Sequence, residues 1–135
     1  MRKPRLTPYG DYAKWVTFEV MANYQVRLII TNDLLKSADA RLGSRPSEGA
    51  DAFCFHVKGT GRSYIFLKHD SPPDVVAHEC YHIIHRIFTW CNVEDWDNEI
   101  VAYHLSHMVE EVYKFKKEIQ KSRSKNVSNK KTAQR

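Results

Sequence analysis

The sequence predicts an α+β domain, with a short mixed sheet of about four strands packed on a mid-chain helix and on a long C-terminal helix. Three observations lead to it. Residues 15–31 and 52–68 are rich in β-branched and aromatic residues and are interrupted by Asn or Gly. Residues 75–88 place Val76, Cys80, Ile83, Ile84, Ile87 and Phe88 at helical spacing. Residues 98–119 repeat the pattern with Val101, Leu105, Met108, Val112, Phe115 and Ile119. A chain of 135 residues fits one domain, set at residues 1–120 with 1–11 as an N-terminal arm and 121–135 as a disordered basic tail.

The arm is basic and carries Pro4 and Pro8, so it is expected to lie across the domain without structure of its own. Residues 15–20 and 25–31 read as two strands, with Ala22-Asn23 as the turn between them. Asn32 or Asp33 caps a short helix over residues 34–42, whose apolar face is Leu34, Leu35, Ala38 and Leu42 and which Gly43 ends. Residues 44–51 are polar with Gly and Pro, a loop. Residues 52–57 and 63–68 flank a Gly-bearing loop and read as a hairpin whose second strand runs almost directly into the next helix. That helix has Ser71 as its expected N-cap and Pro72 and Pro73 in its first turn, where a missing N–H costs nothing. A polar link containing Glu94, Asp95, Trp96 and Asp97 leads to the last helix, whose N-terminal dipole those acids offset. From Ser122 onward there is almost no large apolar residue to offset the entropy of ordering, hence the expectation of disorder.

The net charge of +5 is unevenly spread. Residues 114–135 hold nine Lys or Arg against Glu118 alone, a net of +8, which leaves residues 1–113 at −3. The tail is thus expected to solvate or to contact nucleic acid weakly, while the folded part is net acidic and lacks a basic stripe interleaved with aromatics. Cys54, Cys80 and Cys91 share no metal-ligand spacing, no charged-then-apolar leader opens the chain, and a reducing, cytoplasmic setting fits. No run approaches the roughly 20 apolar residues that span a bilayer.

The chemistry sits in the central helix, where residues 78–82 read H-E-C-Y-H. Residues four apart lie one helical turn above each other, so the imidazoles of His78 and His82 can close on one ion while Glu79 stands at its open side. A catalytic zinc needs two such nitrogen donors, one further protein ligand and a position left to water. Glu99, near the start of the last helix, is the candidate third ligand; at about 100° per residue it shares a face with Ala102, Tyr103 and Ser106 while the Val101–Leu105 stripe points away. Rivals are His104, His107 and Asp97. His85, one turn beyond His82, suits a pocket wall or a group supporting the ligands. His56 and His69 read as a strand and a loop side chain.

H-E-C-Y-H followed by E-I-V-A-Y from Glu99 resembles the gluzincin arrangement, the thermolysin-like group of zinc peptidases. The short frame is also similar to small phage- and prophage-encoded metallopeptidases and, more loosely, to ImmA/IrrE-like peptidases. The resemblance covers residues 63–105 and implies a small zincin-like domain holding one zinc ion on His78, His82 and Glu99. It also implies Glu79 as general base and a polypeptide substrate. Asn98 matches the Asn that precedes the Glu in the thermolysin pattern, but the spacing is shorter and no downstream acid-stabilising His is assigned. Tyr103 or His104 would take that electrophilic role, with Tyr103 the choice.

The activity expected is hydrolysis of a peptide bond, with the second hairpin strand, read as an edge strand beside the site, either taking the substrate as an added strand or serving only as sheet. Two other readings stand beside it. One is a non-enzymatic zinc-stabilised module with a nucleic-acid-binding tail. The other is an interaction partner with a dead protease site, disfavoured because Glu79 is present.

Overall fold

The computed structural model describes residues 3–43 and 49–133, with side chains as far as residue 124. Most of the expected loop at 44–51, the first two residues of the arm and the last two of the tail lie outside the described residues. The elements are β1 (Asp11–Phe18), β2 (Tyr24–Thr31), α1 (Leu34–Leu42), β3 (Ala52–His56), β4 (Arg62–Lys68), α2 (Pro73–Trp90) and α3 (Asn98–Ala133). The fold is α+β, as expected, around a four-stranded mixed sheet.

The strand order is β1-β2-β4-β3, with β1/β2 and β3/β4 antiparallel and β2/β4 parallel. The two central strands hold the near-continuous apolar runs around Leu28–Ile30 and Ile65–Leu67, all fully buried, as a strand covered on both faces requires. Strand β1 starts four residues before the expected Trp15 because Asp11 is part of the ladder, opposite Thr31. It ends at Phe18, and the chain turns through Ala22 and Asn23, both at φ 55°. Asn tolerates that left-handed conformation better than Ala.

One sheet face carries Val16, Phe18, Tyr24, Val26, Leu28, Ile30, Ile65 and Leu67 against α2 and α3, forming the main core. All six expected apolar residues of α2 are buried there, as are Met108, Val112, Phe115 and Ile119 of α3. The antiparallel pairing of the two helices is fixed at both ends. Phe88 meets the His104 ring at 5.6 Å, and Lys116 Nζ donates to the Ser71 carbonyl, 3.2 Å, just ahead of α2. Trp90, at the end of α2, lies against Gly61, where a Cβ would come within 3.2 Å of the indole nitrogen.

Among the described residues the opposite face is covered by α1, through a small cluster of Ile29, Leu34, Ala38 and Phe66. Asp33 caps α1 by accepting from the Lys36 N–H, and Gly43 ends it at φ 63°. A buried ion pair ties α1 to β1. Arg41 donates to both Asp11 oxygens at 2.7 and 2.8 Å, and Ser37 and Thr7 hydroxyls donate to the same carboxylate. Burial alone would raise the Asp11 pKa, but these bonds outweigh it and hold the carboxyl below its ordinary value.

Three local expectations are corrected. Ser71 is not the N-cap of α2; Pro72 holds that position and the Ser71 hydroxyl instead accepts from the Lys68 N–H at 2.9 Å, closing the turn out of β4. The strand leading into α2, β4, is internal, so the sheet edge nearest that helix belongs to β3. Helix α3 does not stop at Ile119 but continues through the basic segment to Ala133. Once nucleated by the packed turns, a helix gains one hydrogen bond per residue added, and Lys, Arg, Gln and Ala oppose that little. The arm lies across the domain as expected, with Lys3, Pro4 and Arg5 beside Ala13, Lys14, Phe115 and Glu118 and the Pro4 carbonyl accepting from Ser122.

Candidate metal-binding cleft on α2

Helix α2 is two-sided because its apolar residues recur at 76, 80, 83, 84, 87 and 88 and its histidines at 78, 82 and 85. The first set is buried and the second exposed. The Nε2 atoms of His78 and His82 stand 3.1 Å apart, with the rings nearly perpendicular. Two nitrogens each about 2.0–2.1 Å from a tetrahedral zinc would be roughly 3.3 Å apart. The pair is therefore spaced, before any ion is considered, close to the bite of a metal.

Glu79 lies next to the pair on the side toward β3 and is only 9% exposed. The Cys54 thiol donates to its carboxylate at 3.1 Å and lies 3.3 Å from its backbone carbonyl. Burial, and then the Glu79 charge, push the Cys54 thiol far above its usual pKa and Cys80 up to about 12. Both sulfurs are thus thiols at neutral pH. Glu79 and His78 line one open cleft together with Asp51, Ala52, Asp74 and Val75, at the start of β3 and the first turn of α2. Among the described residues β3 pairs with β4 alone, which leaves its outer backbone edge without a strand partner there.

Neither Glu99 nor Tyr103 is brought to this cleft. Taking the Phe88–His104 contact as level, Glu99 lies roughly 16 Å along the helix pair from His82 at about 1.5 Å per residue. Glu99 is an exposed first-turn acid whose N–H is accepted by the Asp97 carboxylate, 2.8 Å, so Asp97 serves as a cap. Tyr103 is 72% exposed, edge-on to His104. His104 is buried among Phe18, Phe88 and Tyr103, and burial, then His107, lowers its pKa, the signature of a core histidine. His107 packs edge-on against Phe18, and His85 against Trp96 at 4.8 Å. Among the described residues no group of three His, Cys, Asp or Glu side chains gathers to hold a metal.

The residues missed by the sequence reading are Cys54, Asp51 and Asp74. Asp74 had a legible signal, since it lies one turn before His78 on the same helix face. Cys54 had none, because its approach to Glu79 depends on where β3 docks. His56 also faces α2, but its Nδ1 bonds the Ser63 hydroxyl at 2.8 Å and Ser63 bonds Tyr24, so its polar chain belongs to the sheet. Burial, then Arg86, His82 and His85, lower its pKa. Among the described residues no helix is long and apolar enough to cross a membrane. Compared with protein-family models, with curated proteins and with solved structures, the chain finds no match.

Proposed function

We propose that the protein is a zinc-dependent peptidase in which His78 and His82 hold the ion and Glu79 is the general base. The observation that carries this is the 3.1 Å spacing of the His78 and His82 imidazole nitrogens, beside a cleft that His78 and Glu79 line. The donors suit zinc at two of the three protein positions that a catalytic site uses, and the third is not among the groups gathered at the cleft. Held by His78 and His82, a zinc ion would supply Lewis acidity toward a scissile carbonyl. Glu79, oriented by the Cys54 thiol, takes a proton from the attacking water and delivers it to the leaving amine. The outer edge of β3 aligns an extended substrate through main-chain hydrogen bonds.

Elemental analysis and a protease assay on an unfolded protein such as casein test the reading together. Wild-type protein is expected to hold about one zinc per chain and to lose cleavage on chelation. Glu79→Gln should keep the zinc and lose at least about 100-fold in rate, the usual size of a general-base contribution. His78→Ala and His82→Ala should lose the metal, whereas Glu99→Ala should retain it. Metal-free wild-type protein, or undiminished cleavage by Glu79→Gln, would end the proposal.

A further inference from the structure

On the sheet face away from α2, one cross-strand row reads Trp15, Arg27, Tyr64 and Phe55, one residue from each strand. Strand residues directly opposite one another point to the same side, so the four form a continuous band. The neighbouring row, Ala13–Ile29–Phe66–Phe53, lies under α1. The row on the other side adds Arg62, opposite Gln25. Helix α1 thus covers one part of this face; Tyr64 packs partly against its cluster, and Trp15 stands at its margin.

The band is built from flat rings and guanidinium groups. Trp15 is 40% exposed, with its ring 6.4 Å from that of Tyr64. Arg27 and Arg62 both lie over the indole, at 4.9 and 5.9 Å. Neither guanidinium has a carboxylate partner among the described residues. An apolar docking patch for a protein excludes charge from its centre; here Arg27 sits in the middle of the row, between two aromatic side chains. Stacking surfaces and unpaired cations side by side match a ligand that offers alternating flat bases and phosphates.

We propose that this row is a binding surface for single-stranded nucleic acid, with bases stacked on Trp15, Tyr64 and Phe55 and phosphates held by Arg27 and Arg62. A duplex keeps its base faces stacked inside and would leave the rings unused. The surface is separate from the α2 cleft, on the opposite side of the sheet, and stands or falls independently of zinc.

The test uses the full chain with oligonucleotides of about 12 nucleotides, oligo-dT and oligo-rU, and a duplex of the same length. Photocrosslinking from 5-bromouracil is expected to mark Trp15, Tyr64 or Phe55. Trp15→Ala should weaken binding by about tenfold or more, and Arg27→Gln with Arg62→Gln should reduce the log–log salt slope by about 1.4. Unchanged thermal melts establish that the variants fold, and if Trp15→Ala does not, the double arginine variant and the crosslink position decide. Preference for dT or rU identifies the strand as DNA or RNA, and either supports the surface. Crosslinks confined to residues 114–135, binding unaffected by the variants, equal affinity for the duplex, or a dimer dissolved by Trp15→Ala would overturn it.

Discussion

The two faces of one sheet have been finished differently. Toward α2 and α3, Val16, Phe18, Val26, Leu28, Ile30, Ile65 and Leu67 are sealed under two helices, and the histidine pair and the Glu79 cleft lie outside that core, on α2 and at the edge of β3. Toward α1, a nine-residue helix covers Ile29 and Phe66, is fastened by Arg41 to Asp11, and leaves Trp15 and its neighbours at its margin. A sheet closed on one face and partly open on the other separates stability from surface chemistry. Hydrophobic burial holds the first face, and a single buried ion pair fixes how much of the second is covered.

Mutations can break that contrast. Arg41→Ala should have the largest effect, about 3–5 kcal/mol, because it leaves the fully buried Asp11 without its countercharge; urea denaturation measures it. The Asp11 pKa is lowered on folding, so its contribution is complete above the unfolded carboxyl pKa and is lost as pH falls through the folded value. The loss in Arg41→Ala should therefore shrink in strong acid.

Ile84→Ala, 1% exposed between α2 and the sheet, should cost about 2–5 kcal/mol, whereas Trp15→Ala on the open face should cost much less in the same measurement. Similar losses at the two sites would mean that the faces are equally sealed. The smallest effect is expected at His104. Burial lowers its pKa below the unfolded value, so its contribution is present above pH 6.5 and declines as pH falls below it. The denaturation midpoint should drop between pH 7.5 and pH 5.5, and His104→Gln should reduce that slope. An unchanged slope would place the pH sensitivity at other histidines, such as His56 and His69, whose pKa values are also lowered by burial.

What the sequence determined by itself is whatever one backbone geometry repeats. The span of α1, the buried stripe of α2, the exposed line of His78, His82 and His85, and the facing of the two imidazoles follow from 3.6 residues per turn. The α3 stripe from Met108 to Ile119 follows in the same way. Only the tertiary structure decided what lies between segments. Strand order made β3 the edge rather than β4. The level at which α3 meets α2 set Glu99 apart from the histidines, and the docking of β3 set Cys54 on Glu79. The aromatic and arginine row was illegible because its members, at positions 15, 27, 55 and 64, become neighbours only through the register of three strand pairs. Local periodicity is fixed by chain geometry, whereas register and level are fixed by which buried surfaces fit together, and that is a property of the folded whole.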